Sequence, residues 1–325
     1  RSIDPKPLGS ASLAQVHKAE LVSGDVVAVK VQRPGVRAVM AQDIDVMRSV
    51  AKHISRFMKD TQMLDLRDVV EELWSTFLEE TDFMKEANNL QEFAELNKNV
   101  VFISCPKPYL EYCTESVLVM EYIEGISIRD TKKLKEYGYD LDEIGLKVMD
   151  NYATQILEHG FFHADPHPGN LFVHEGKVVY LDLGIMGRLS VRERMGFSKI
   201  IEAVGSQNAS DLKDALISFS VEHDLAAIDH ARLLAELDNV LKSYCATNVA
   251  DIDIGALLSD IMALTRQCRV TLPSSVTAVS RGIVTMEGSL AEYLANTNMI
   301  EIINGHIIRS KNVQEELEQR LKTAV

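Results

Sequence analysis

Asp165 and Asn170 sit five positions apart in the stretch His163-Ala164-Asp165-Pro166-His167-Pro168-Gly169-Asn170. A carboxylate and a carboxamide at that spacing offer two hard oxygen donors or a base and a donor. Both prolines lack an N–H and disfavour helical geometry in the residue before them, so residues 165–170 read as an extended or turning loop. His159, His163 and His167 recur every fourth residue, which on a helix would make one zinc-binding face of a metal-dependent hydrolase. The prolines break that face at His167, and the loop reading is preferred.

Asp182-Leu183-Gly184 begins twelve residues after Asn170. It comes after two short apolar runs, Leu171-Phe172-Val173 and Val178-Val179-Tyr180-Leu181, that flank a turn at Glu175-Gly176-Lys177 and read as a hairpin. Oxygen ligands from Asp182 and Asn170, with waters and phosphates completing an octahedron, suit Mg²⁺. Upstream, Val27-Ala28-Val29-Lys30 ends a strand with an ammonium that can reach phosphate oxygens, and Glu86, on a later helix, can pair with it. Singly, a strand lysine is usually solvated and an acidic helix face is common in this chain. The order is more demanding: Lys on a strand, Glu on a helix, a strand with a hinge, HxDxxxxN, a hairpin and DxG. That is the order of parts in a protein-kinase phosphoryl-transfer site.

The elements that must position these groups are legible as patterns. Residues 13–32 alternate as a hairpin broken at Val22-Ser23-Gly24-Asp25, and residues 36–58 then have helical character. A second helical stretch covers 66–96, and Cys105-Pro106-Lys107-Pro108 punctuates the chain beyond it. Ser116 to Met120 is a buried strand leading into Glu121-Tyr122-Ile123-Glu124-Gly125. Residues 143–159 are helical again, and beyond 190 only Pro273 interrupts helical patterning. The expected class is α+β, with a sheet-rich N-lobe at 1–123 and a helical C-lobe carrying the catalytic and metal loops at 124–325.

The 325 residues suffice for two such lobes, and 46% hydrophobic with 25% charged residues is ordinary for a globular chain. A formal charge of −14 disfavours general binding to nucleic acid or to an anionic membrane. Four cysteines without a CxxC pair make no disulfide framework and fit a reducing compartment. No uninterrupted apolar run nears 20 residues, and no signal-peptide layout opens the chain. Because it starts at Arg1, the sequence reads as a fragment with targeting or membrane segments outside it.

Pro7-Leu8-Gly9-Ser10-Ala11-Ser12-Leu13-Ala14-Gln15-Val16-His17, VAVKVQRPGV, ETDFMKEANN, VLVMEYIEG and HADPHPGNLFV with YLDLG together resemble the UbiB/ADCK (AarF-type) family of atypical protein-kinase-like proteins. The similarity is strong over about residues 5–190 and looser beyond. It implies a bilobal protein-kinase-like fold that binds ATP and Mg²⁺. Carried over by position, Lys30 contacts phosphates and pairs with Glu86, Asp165 is the catalytic-loop aspartate, and Asn170 and Asp182 hold Mg²⁺. Glu80 and Asp82 match the family's ExD motif. Gly9, Ser10, Ala11 and Ser12 form the nucleotide loop, Met120 is the gatekeeper, and backbone groups of Glu121, Tyr122 and Ile123 hold adenine.

Departures from ordinary protein kinases have consequences. The loop at 9–12 keeps one glycine where G-x-G-x-x-G has three, so it is stiffer. Ala164 replaces the arginine of HRD, which removes a receptor for an activation-loop phosphate. No proline lies between Pro168 and Pro273, so an Ala-Pro-Glu end to a peptide-binding segment is missing and a protein substrate loses support. The family's KxGQ motif does not occur in this chain. The resemblance implies an ATPase or a kinase acting on a small or lipid-like target in isoprenoid quinone (ubiquinone) biosynthesis, in contact with quinone-pathway enzymes. A nucleotide-gated scaffold organising other enzymes near a membrane is the alternative. A cytoplasmic location with peripheral membrane attachment is expected, and no nucleic-acid partner.

Overall fold

The computed structural model describes residues 1–10, 13–57, 66–220, 228–245, 254–291, 293, 302, 303 and 305–309. The fold is α+β, and the chain divides into two compact units: 1–124 with 179–185, and 125–178 with 186–325.

The first unit is built on an antiparallel sheet. Strands β1 (Ser2–Ile3) and β2 (Gly9–Ser10) both pair with β3 (Ala14–Glu20), which pairs with β4 (Val26–Gln32). Gly24, at φ +98°, supplies the left-handed backbone that reverses the chain between β3 and β4. Helices α1 (Val36–Phe57), α2 (Leu66–Glu80) and α3 (Phe83–Leu96) come next, then β5 (Ile103–Ser104) and β6 (Val117–Glu121), which pairs with β4. Alternation along β4 sorts its side chains by face. Val27 and Val29 join Ala19 and Val119 in an apolar cluster, while Lys30, opposite Val16 and Leu118, belongs to the other face.

The helical stretch expected over 66–96 is two helices rather than one. Thr81 turns its hydroxyl back to the Phe77 carbonyl at 2.9 Å, and its own carbonyl accepts from the Arg37 guanidinium at 2.6 Å and from the Gln32 amide. Asp82 then takes extended backbone, and its carboxylate accepts the amides of Met84 at 3.1 Å and Lys85 at 3.2 Å. An aspartate placed to cap satisfies orphan N–H groups of a new helix, so the apolar periodicity runs on across a break. Asp82→Ala is therefore expected to cost about 1 kcal/mol in chemical denaturation, and Asp82→Asn only a fraction of that.

The second unit starts with β7 (Ile126–Ser127), α4 (Thr131–Glu136) and α5 (Leu141–Thr154). α5 begins two residues before the expected start because Asp140 caps it, accepting from Asp142 and Glu143 amides. Its continuation, Gln155–His159, widens into a π-turn that Gly160 ends at φ +64°. Strands β8 (Phe161–His163) and β9 (Leu171–His174) come after it, and β10 (Lys177–Tyr180) starts in this unit, its last two residues belonging to the first. Glu175 and Gly176, both at positive φ, form the two-residue link from β9 to β10. β7 pairs with β9, and β11 (Met186–Arg188) pairs with β8. Helices α6 (Val191–Gly205), α7 (Ala209–Phe219), α8 (His230–Cys245), α9 (Ile254–Gln267) and α10 (Ser274–Leu290) complete it, each packing on the next in sequence from α6 on. Among the described residues, no helix is long and apolar enough to cross a membrane.

Candidate functional site

Lys30 is gripped by two carboxylates within the first unit. Its Nζ donates to Glu86 Oε2 at 2.8 Å, Glu86 Oε1 at 3.1 Å and Asp182 Oδ2 at 2.8 Å. α3 presents Glu86 for this contact because residues 83, 86, 87, 90 and 93 share its buried face. Phe83, one turn earlier, places its ring 5.1 Å from the ammonium. Glu86 is 2% exposed, Lys30 16% and Asp182 39%, so the cluster is closed at the helix and open at the aspartate.

The electrostatics reflect that asymmetry. Burial opposes charge on Lys30, but Glu86 and Asp182 outweigh it and hold the lysine above its ordinary pKa. Burial, aided by the charge of Asp182, pushes Glu86 up to about 7 against the pull of Lys30. The Asp182-Leu183-Gly184 turn is fastened to the same helix. Asn89 Nδ2 donates to the Leu183 carbonyl at 2.8 Å, Glu86 accepts the Leu183 amide, and Asp182 Oδ1 accepts the Gly184 amide at 3.0 Å. Asn89 closes the ETDFMKEANN stretch, but no role attaches to it there. The available signal was its place three residues beyond Glu86, on the same helical face.

Other sequence-derived candidates in this unit take varied places. Gly9 and Ser10 form β2, and Ser10 Oγ accepts from Arg33 at 2.7 Å; Ala11 and Ser12 lie outside the described residues. Glu80 is the last residue of α2, and Asp82 spends its carboxylate on the cap of α3. Met120 is buried on β6, opposite Ala28. At the hinge, the Glu121 amide donates to the Lys107 carbonyl at 2.8 Å and the Tyr122 amide to the Val26 carbonyl at 3.3 Å. Those two amides are engaged within the protein, and Ile123 comes directly after them.

The second unit holds Asp165 and Asn170. The loop has the irregular form that its prolines dictate, with a short 3₁₀ turn at Pro168–Asn170. His167 caps this turn: its Nδ1 accepts the Gly169 amide at 3.3 Å, and its carbonyl accepts the Asn170 amide at 2.8 Å. The Arg129 guanidinium lies 2.9 and 3.0 Å from the two ring nitrogens of His167. Asp165 is half-buried, between buried Ala164 and Pro166.

The three histidines do not form a zinc face. His159 closes the π-turn, where burial lowers its pKa; His163 is buried at the end of β8; His167 caps the loop. Gly160 ends helical geometry before a spacing of four can align them. Among the described residues, no group of three or more His, Cys, Asp or Glu is placed to hold a metal ion.

A model of the ABC1 atypical kinase-like domain matches residues 1–216. The chain belongs to this family. As an ABC1 domain it is 32% identical over 309 residues to the uncharacterized protein of the hydrogenase 1 5′ region of Clostridium pasteurianum, covering 95% of this chain and 58% of that protein. It is 35% identical over 291 residues to a chloroplast protein of Arabidopsis thaliana named as an aarF domain-containing protein kinase, covering 88% of this chain and 40% of the relative. The chain thus spans about half the length of the curated relatives it matches. Its fold is shared with Rv3197 of Mycobacterium tuberculosis, solved in complex with erythromycin, at a TM-score of 0.65 and 21% identity over 94% of this chain and 76% of that one. The ABC1 fold is kinase-like, with strands concentrated in the first unit and helices in the second.

Proposed function

We propose that this ABC1 domain binds ATP with Mg²⁺ and transfers a phosphoryl group, to water or to a small or lipid-like acceptor, in support of isoprenoid quinone (ubiquinone) biosynthesis. The observation that carries the phosphoryl-transfer reading is Lys30, held between Glu86 and Asp182. A lysine directed by a buried glutamate, beside an aspartate fixed through Gly184, is the donor set that phosphoryl transfer requires. Asp182 also fits Mg²⁺: one oxygen is fixed by a backbone N–H, while the carboxylate keeps access to solvent.

Each group's role is set by its chemistry. Lys30 offsets negative charge on phosphates, and Glu86 sets the direction of its ammonium. Asp182 and Asn170 are the metal ligands, and Mg²⁺ bound there would supply a Lewis acid that neutralises developing phosphoryl charge. Asp165 orients the attacking hydroxyl or water and accepts its proton. Ile123, next to the two engaged amides, offers hinge backbone to adenine, with Met120 behind it. Contact with quinone-pathway enzymes and peripheral attachment to a membrane belong to the same reading.

Thermal unfolding with ATP, ADP or neither, each with and without Mg²⁺, tests it on the wild type and on Asp182→Asn. A nucleotide at a hundred times its Kd adds about 2.7 kcal/mol of stability, which moves the midpoint by several degrees. The expected result is a magnesium-dependent shift that Asp182→Asn abolishes. No shift with either nucleotide would overturn the reading, and a shift without turnover would favour the nucleotide-gated scaffold.

A further inference from the structure

Asp165 inherits its position from a buried polar chain of which the sequence motifs contain only His163. His163, two residues earlier, is held by both backbone polar groups: its amide donates to Gln155 Oε1 at 3.0 Å, and its carbonyl accepts from the Tyr152 hydroxyl at 3.0 Å. Gln155 is itself oriented, because its Nε2 donates to Asn151 Oδ1 at 2.8 Å. The His163 ring then passes the constraint forward, its Nδ1 accepting the Asp165 amide at 3.2 Å. None of Asn151, Tyr152, Gln155 and His163 is more than 1% exposed, so water cannot replace a lost partner without opening the core.

The local backbone is shaped around this chain. Gln155 opens the π-turn, a widened turn of the kind that recurs at functional sites. Gly282 of α10 leaves room for Tyr152, since a Cβ there would lie 2.0 Å from its hydroxyl oxygen. Packing and hydrogen bonding converge on one residue, His163, and through it on the amide that fixes the backbone of Asp165.

We propose that Gln155 and Tyr152 are positioning residues for Asp165, acting through His163. The inference rests on Asp165 serving as the base in the proposed phosphoryl transfer. Its tests are ATP turnover per folded molecule and amide hydrogen exchange at Asp165, compared in the wild type, Gln155→Leu, Tyr152→Phe, His163→Leu and His163→Asn. A small misplacement of a reacting group is costly, so kcat is expected to fall by about tenfold or more in the first three variants, with KM for ATP within about twofold. His163→Asn is the rescue: a side-chain carbonyl two residues before Asp165 can accept the same amide in an Asx-turn, and kcat should stay within about threefold of wild type.

Faster exchange at Asp165 in Gln155→Leu and His163→Leu, with protection in α6 and α7 unchanged, is the accompanying expectation. Equal losses of kcat in His163→Asn and His163→Leu would overturn the proposal, as would unchanged exchange at Asp165. If the wild type turns over no ATP, the phosphoryl-transfer reading fails by itself. Exchange at Asp165 needs no turnover, and it then still decides whether Gln155 and His163 hold that backbone.

Discussion

Lys30→Met should destabilise the first unit by about 3–5 kcal/mol at pH 8 and by distinctly less at pH 6, because it strips the cation from a buried carboxylate. Glu86 is 2% exposed, and without Lys30 its charge has no counter-ion to offset desolvation. The pH dependence has a definite sign. The pKa of Glu86 in the folded chain, about 7, lies above its ordinary 4.5. A group raised in this way contributes stability that is complete below the unfolded value and is lost as pH rises through the folded one. Lys30 pulls that pKa down, so Lys30→Met moves it further up and stretches the loss to higher pH. At pH 6 wild type and variant both hold Glu86 largely protonated; at pH 8 the wild type has passed its folded value, while the variant still holds a proton that the unfolded chain has released, so its stability has fallen further.

Urea denaturation of wild type and variant at both pH values checks this. A loss equal at pH 6 and pH 8 would show that Glu86 does not carry the penalty. Lys30→Met combined with Glu86→Leu should recover much of the stability, since replacing both members of a buried pair is far milder than removing one. The same double variant would not bind phosphates through Lys30, which separates the lysine's place in the fold from its place in the proposed chemistry.

What could be read from the sequence divides along physical lines. Lys30, Glu86 and Asp182 were legible because a period of two fixes the face of Lys30 on β4, a period of 3.6 fixes the face of Glu86 on α3, and a turn signal brings the chain back at Asp182. The break at Thr81 and Asp82 was not, because apolar residues recur at helical spacing through both helices. Only the capping chemistry of Asp82 marks the boundary, and the same residue also matched a family motif. The π-turn at Gln155–His159 has no composition of its own, so the pairing of Gln155 with His163 could not be foreseen. Histidines at 159, 163 and 167 are the converse case: regular spacing means a shared face only while the backbone stays helical, and Gly160 ends that before the prolines do.

Gly187→Ala is expected to be a strongly disruptive single-methyl change near the Asp165 loop, at about 1–3 kcal/mol or more from overpacking. Gly187 lies opposite Phe162 in the pairing of β11 with β8, and the ring fills the space a Cβ would take. A Cβ there would sit 2.2, 2.4 and 2.8 Å from three ring atoms, far inside van der Waals contact. Phe162 is fully buried, so its ring cannot swing aside without being exposed or pushing apart its neighbours. The backbone of Gly187 is not in the left-handed region, so space rather than conformational freedom requires the glycine. The two causes separate in a double-mutant cycle. If space decides, Phe162→Leu should return much of the stability lost in Gly187→Ala, giving a coupling of about 0.5–3 kcal/mol in thermal or urea unfolding. If backbone freedom decided, the two losses would simply add. Because β8 runs on into His163 and the Asp165 loop, displacement of Phe162 should also loosen the Asp165 amide. Gly184→Ala, whose Cβ meets the Asp182 carboxylate at 3.2 Å and the Glu86 carboxylate at 3.7 Å, should leave Phe162 in place.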